Sequence, residues 1–368
     1  MVDLYRQYLK IKPEIDTSIQ KVIESSEFIK GTKVREFENN LSNYLNVKHI
    51  ITCGNGTDAL QIALMASGLK PGDEVITTPF TFVSTVEVIA LLELVPVFSD
   101  IEESSFNIDP AKIEKAITSK TRAIIPVHLF GRPADMERIL DISKKYNLSV
   151  IEDAAQSIGA NYLFSDGTKV KTGTIGNIGC TSFFPSKNLG CFGDGGAMFT
   201  NNDDLNEKLR ILANHGMKTR YHYDEIGVNS RLDTIQAAIL DVKLKYLDNY
   251  NNLRSIAAKF YNDRLKGISN IITPSAKEES VFHQYTISLK DDSRDNLKNY
   301  LESKEIPSSV YYPLPLHLQK AYQYLGYKKG DFPVAEYLSS HVLSLPMHTE
   351  LDVDQLNYIC DCISEFYS

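Results

Sequence analysis

Between about residues 50 and 200, short apolar runs alternate with longer amphipathic stretches, and few architectures accept that alternation. VIT at 75–77, AIIPV at 123–127, LSVIED at 148–153 and CTSFF at 180–184 are apolar in continuous runs rather than at every second residue, as strands covered on both faces are. The segments between them read as helices. PADMERILDISKKYN sets Met136, Ile139 and Leu140 on one stripe, and DDLNEKLRILANHG does the same with Leu205, Leu209 and Leu212. This order predicts an α/β domain, a mostly parallel central sheet flanked by helices on both faces.

In RLDTIQAAILDVKLKYL the stripe Ile235, Ile239 and Val242 continues the helical pattern, and the polar stretch DNYNNLR follows it. That change of character puts a boundary near residue 245, between a large domain of residues 1–245 and a smaller C-terminal α+β domain of residues 246–368. The smaller domain is expected to hold a strand in QYTISL (284–289), a helix around 293–303 and the segment SSVYYPLPLH (308–317). No internal repeat, heptad seam or low-complexity segment interrupts either part.

The net charge of −8 argues against a general nucleic-acid binder, because phosphate contacts demand a basic face. The N-terminus MVDLYRQYLKIK has no continuous apolar segment, and the most apolar run, FVSTVEVIALLELVPVF, is broken by Glu87 and Glu93. A cytoplasmic protein with no membrane association is therefore expected. Cys53, Cys180, Cys191, Cys360 and Cys362 form no zinc-type pair, and His215, His222, His341 and His348 lack ligand spacing, so no metal is assigned.

In open parallel sheets, ligands bind beyond the carboxyl ends of the strands. Asp153 ends LSVIED, Lys187 follows CTSFF, and GNGTDAL at 54–60 reads as a glycine turn entering a helix with Thr57 in its first turn, a natural anion site. Each has an ordinary explanation when taken singly. GNGTDAL is an N-capped turn, Glu152 and Asp153 a solvated strand end, GDGG at 193–196 a tight turn, and Lys187 a surface lysine. A lysine facing the interior, however, is costly unless it is paired or reactive.

Together and in chain order, the phosphate-type turn, the acid at one strand end and the Ser-x-x-x-x-Lys at another resemble the aminotransferases that use pyridoxal 5'-phosphate. The blocks GNGTDAL, GDEVITTPFTFVST, PVHLFGRPADM, VIEDAAQSIGA, TSFFPSKNLGCFGDGG, GVNSRLDTIQAAIL and YYPLPLH are similar to those of the DegT/DnrJ/EryC1/StrS nucleotide-sugar aminotransferases, in that family's order and over nearly the whole chain. The resemblance implies aminotransferase fold type I. It assigns Lys187 as the catalytic residue, covalent carrier of the cofactor and then base, and Asp153 as the carboxylate that keeps the ring nitrogen protonated. Gln156 would bond the ring hydroxyl, Phe82 would stack on the ring, and Gly56, Thr57 and Ser182 would cradle the phosphate. Asn229 would reach that phosphate from the partner subunit, which implies a homodimer with shared active sites. L-glutamate would donate the amino group, leaving pyridoxamine phosphate, and a keto-sugar nucleotide would accept it.

CTSFFPSKNLGCFGDGG together with RYHYDEIGVNSRLDTIQAAIL is especially similar to enzymes that aminate C3 of UDP-2-acetamido-2-deoxy-3-oxo-glucuronate, toward the diacetamido uronic acids of lipopolysaccharide O-antigen. Arg231 would then grip the uronate carboxylate, with Tyr311, Tyr312 and His317 beside the substrate. Many relatives read His-Tyr-Pro where this chain has Tyr311-Tyr312-Pro313, so the Tyr311 hydroxyl would take over the histidine's part. The alternatives are a 3- or 4-aminotransferase of a dTDP-6-deoxy-ketohexose, with Arg231 merely paired to Asp233 or another acid, and a non-catalytic regulatory relative, which would not need Lys187, Asp153 and Gln156 together. His128 reads equally as a satisfied structural histidine or a substrate contact. The polar stretch FSDGTKVKTGTIGNIG at 164–179 takes no role from sequence alone.

Overall fold

The computed structural model describes residues 1–275 and 279–368. Strands β1 (His49–Cys53), β2 (Glu74–Thr77), β3 (Val95–Phe98), β4 (Thr121–Ile124) and β5 (Ser149–Asp153) are followed by a hairpin of β6 (Asn161–Leu163) and β7 (Lys169–Lys171), then by β8 (Ile178–Ser182) and β9 (Gly196–Thr200). Seven of these form one sheet in the order β1-β9-β8-β5-β4-β2-β3. Neighbours from β3 to β8 run parallel, while β9 lies antiparallel between β8 and β1. The carboxyl ends of β1, β2, β4, β5 and β8 therefore share one edge of the sheet. The first residue of β9, Gly196, meets them there, opposite Cys53 and Ser182.

The apolar runs fill both faces. Ile51, Ile125, Ile151 and Met198 pack with Leu60, Ile62, Leu209 and Leu212 of the helices Gly56–Ala66 and Asp203–Leu212 on one side. Ile76, Ile124 and Val150 pack with Met136 and Ile139 of helix Met136–Tyr146 on the other. The strand expected over 123–127 stops at Ile124 because Pro126 has no N–H for the ladder, although Val127 still bridges Asp153. β1, β3 and β9 escape the sequence reading, and the antiparallel β9 has no run pattern that separates it from its parallel neighbours.

Beyond the hairpin of β10 (Met217–Thr219) and β11 (His222–Tyr223), helix Thr234–Leu244 ends and helix Leu247–Leu265 begins. β12 (Ile271–Ile272), β13 (Tyr285–Leu289) and β14 (Val342–Leu345) form a three-stranded antiparallel sheet. Tyr261, Tyr285, Leu297, Leu343 and Ile363 belong to the core built around it. A second cluster joins the C-terminal segment to the large sheet: Phe80, Phe98 and Phe130 pack with Leu316, Tyr322, Phe332 and Leu338. SSVYYPLPLH is accordingly neither helix nor strand along most of its length, and Leu316 N donates to Pro79 O at 2.8 Å.

Candidate active site

The turn after β1 sets up an anion cradle. Asn55 caps helix Gly56–Ala66 by accepting from Asp58 N at 2.8 Å. Gly54 N donates to Ser230 Oγ, which in turn donates to Asp58 Oδ2 at 2.6 Å. A Cβ on Gly56 would sit 2.7 Å from Ser182 Cβ, so only glycine lets the helix start come this close to the end of β8. Capping satisfies Asp58 N, and the first N–H groups of a helix, here those of Gly56 and Thr57, have no carbonyl within it. Thr57 Oγ1 lies 2.7 Å from Ser84 Oγ.

Asp153 closes β5 with its carboxylate on the same edge, 6% exposed. Oδ1 accepts from Ala155 N at 3.2 Å and Oδ2 from Thr85 Oγ1 at 2.8 Å. Lys187 stands on the tight loop after β8, its N–H bonded to Phe184 O at 2.8 Å. Burial lowers its amine to about 8, and the Asp153 charge opposes the shift. Phe82, at 56% exposure, is an aromatic ring left uncovered by the protein. Gln156 Oε1 accepts from Phe130 N at 2.7 Å, and its Nε2 donates to Tyr312 Oη at 3.3 Å. Tyr311, half-buried, lies edge-on to Tyr312. A cradle that a Cβ would fill, a buried carboxylate and a lowered amine responding to that carboxylate fit pyridoxal phosphate.

The loop carrying Lys187 is held from several sides. Asn188 Nδ2 donates to Asn251 Oδ1 (2.8 Å) and Val281 O (3.0 Å), which leaves its Oδ1 to accept from His283 Nδ1 at 3.2 Å. Burial first, then the Lys187 and Arg254 charges, push His283 well below the ordinary imidazole range, so that ring is neutral. Lys243 Nζ donates to Gly190 O at 2.6 Å and Gln236 Oε1 accepts from Phe192 N at 2.8 Å.

Glu152 is a correction to the solvated strand end expected from sequence. Alternation along β5 turns it away from the site, and both it and His128 are 0% exposed. His128 Nδ1 accepts from Ala134 N at 3.0 Å, so Nε2 carries the proton and donates to Glu152 at 2.9 Å. Three more donors reach that carboxylate from Gly173 N (2.8 Å), Ile175 N (2.7 Å) and Gly176 N (2.6 Å). The stretch 164–179 thus completes the hairpin β6–β7 and wraps a buried acid behind Asp153. The glycines are its one visible signal: a Cβ on Gly176 would lie 2.7 Å from Val150 O.

Three expected substrate or partner-facing residues lie elsewhere in the single chain. Asn229 is exposed and bridges Asn214. Arg231 lines a cleft of about 510 Å³ with Lys30, Arg210 and Lys218, a cleft that contains neither Lys187 nor Asp153. His317, expected beside the substrate, is 1% exposed in the single chain, bonded through Nε2 to Glu336 at 3.0 Å and packed edge-on against Phe332. Its neighbours in the sequence look like a binding loop, but the aromatic cluster between the two sheets has absorbed the ring.

Residues 9–364 match the DegT/DnrJ/EryC1/StrS aminotransferase family. A protein of Geobacillus stearothermophilus named a pleiotropic regulatory protein is 48% identical over 100% of this chain and 98% of its own length. The UDP-2-acetamido-2-deoxy-3-oxo-D-glucuronate aminotransferase of Pseudomonas aeruginosa is 45% identical over 99% of both chains. Among solved structures, S. venezuelae DesV in complex with a ketimine intermediate superposes with a TM-score of 0.95 at 36% identity, covering 100% of this chain and 98% of that one. The chain belongs to the DegT/DnrJ/EryC1/StrS aminotransferase family. It is a pyridoxal phosphate-dependent nucleotide-sugar aminotransferase. Among the described residues no helix is long and apolar enough to cross a membrane, and no group of three or more His, Cys, Asp or Glu could hold a metal ion.

Proposed function

We propose that this enzyme moves an amino group from L-glutamate to C3 of a UDP-linked 3-keto-2-acetamido uronic acid, a step toward diacetamido uronic acids of O-antigen, and that it works in the cytoplasm as a homodimer with shared sites. Bound pyridoxal phosphate supplies the electron sink on which amino transfer depends. The chain's own residues do the rest. Gly56, Thr57 and Ser182 hold the phosphate, Asp153 faces the ring nitrogen, Gln156 and Phe82 orient the ring, and the Lys187 amine moves the proton in both half-reactions. The large and small domains meet near residue 245, where helix Thr234–Leu244 gives way to helix Leu247–Leu265.

The observation that carries the uronate reading is the state of Arg231. Nearby Glu38 and Glu207 are already paired, with Arg210 and Lys218, and among the described residues no acid pairs with Arg231. Its charge instead adds to burial in lowering the Lys30 amine. A guanidinium beside a second cation, with no acid of its own, suits a carboxylate supplied by a ligand. A dTDP-6-deoxy-ketohexose has no such group to offer.

Arg231→Leu should cut turnover of the UDP-3-oxo-uronate by about 30-fold to a few thousand-fold, the cost of truncating one partner of a buried charge pair, and leave the glutamate half-reaction nearly unchanged. Mixing Arg231→Leu with Lys187→Ala under subunit exchange should restore part of the activity, since one site in each hybrid is intact. Equal damage to both half-reactions, or a preference for the 6-deoxy sugar in a panel of UDP- and dTDP-keto-sugars, contradicts the uronate. Absence of recovery after proven exchange contradicts the shared site.

A further inference from the structure

The segment TTPFTFVST carries more than the aromatic ring assigned to it. While Phe82 is exposed, Thr81 and Thr85 on either side of it point inward at 2% and 0% exposure. Thr85 Oγ1 lies 2.8 Å from Asp153 Oδ2 and 3.3 Å from Thr81 Oγ1. An ionised carboxylate only accepts and a hydroxyl has one proton to give. Thr85 therefore donates to Asp153, and Thr81 donates to Thr85. The two hydroxyls form a buried relay in which each bond strengthens the next. Ala155 N takes the other oxygen at 3.2 Å, so the carboxylate is fixed in rotation by two donors from different segments.

We propose that Thr85 is a positioning residue for Asp153: its hydroxyl, backed by Thr81, sets the carboxylate in the one orientation that engages the cofactor's ring nitrogen. The proposal rests on the reading of Asp153 given above. It has a signature that packing alone lacks, because a group acting through Asp153 matters only to a ligand that has the nitrogen. Phe82 and Thr85 then arrive at the ring on one turn of chain, one covering its face and the other steering the acid at its edge.

The test is the affinity of the full-length apoenzyme for pyridoxamine phosphate and for its analogue with carbon in place of the ring nitrogen, by titration calorimetry. Wild type should prefer the natural compound, and Asp153→Asn should abolish the preference; if Asp153→Asn keeps it, the reading of Asp153 is wrong. Thr85→Val, of the same shape, should weaken pyridoxamine phosphate about tenfold or more, as expected for a hydrogen bond to a charged group, with the analogue unaffected. Thr85→Ser, which keeps the hydroxyl, should restore the wild-type preference. Equal weakening of both ligands by Thr85→Val, or no weakening of either, overturns the proposal while the Asp153→Asn result stands. Should Thr85→Val fail to fold, Thr81→Val provides the same comparison: a two- to threefold loss is expected for the natural ligand only, and an equal loss for both overturns the relay.

Discussion

Lys187 and Lys243 are two lysines that burial lowers alike, to about 8 from the ordinary 10.5, and both serve the same loop, Lys187 from within it and Lys243 from helix Thr234–Leu244. Lys243 is sealed at 2% exposure, its amine committed to Gly190 O at 2.6 Å and resting over the Phe192 ring, 5.6 Å from its centroid. Lys187 is half-buried at the mouth of the strands, bonded through its backbone alone, with Asp153 as the charge that offsets its desolvation. Desolvation by itself therefore does not mark a reactive amine. What separates the two is commitment: one amine is a strut for the turn, and the other is left uncommitted beside a carboxylate and an anion cradle.

The largest expected effect breaks this comparison from the catalytic side. Lys187→Met should abolish turnover and leave the fold intact, since among the described residues no partner loses a bond to its amine. Next comes the pair behind the site. Glu152→Ala should destabilise the protein by about 3–5 kcal/mol, the cost of breaking a buried charged network, because four donors are left facing a cavity. A urea melt reads it, and a change below about 1 kcal/mol would show that Glu152 is not the anchor described here. Lys243→Met should be the mildest. It leaves Gly190 O without a donor, which costs about 1–3 kcal/mol, but the apolar side chain recovers part of that, and turnover should stay within about tenfold of wild type.

These two amines also set a pH dependence. Between about 8 and 10.5 the unfolded chain binds protons at positions 187 and 243 that the folded chain has released, so their burial penalty fades and stability rises with pH over that window. Lys243→Met should remove its share of the rise.

The legible part of the site was the part written locally. Asp153 and Lys187 sit at ends of apolar runs, and the spacing from Ser182 to Lys187 lies within one loop, so strand reading placed them. Glu152 and Asp153 are neighbours in the chain and strangers in the fold, and nothing local tells a satisfied buried acid from an exposed one. Its partners come from His128 and from residues 173–176, across strand registers that only the folded sheet defines. Thr85 is hidden for the same reason: it meets Asp153 from a segment 68 residues earlier. His317 is placed beside the substrate by the resemblance alone, and its packing against Phe98 and Phe332 comes from residues far off in the chain that no local pattern announces.

The most direct test of the contrast between the two lysines is borohydride reduction of the enzyme loaded with pyridoxal phosphate, followed by peptide mapping, alongside pH-dependent labelling of the apoenzyme with an amine reagent. The cofactor should be found on Lys187 alone, and Lys187 should label with a midpoint near pH 8 while Lys243 stays protected until the protein unfolds. Cofactor trapped on Lys243 or another lysine, with Lys187 unmodified, would contradict the assignment.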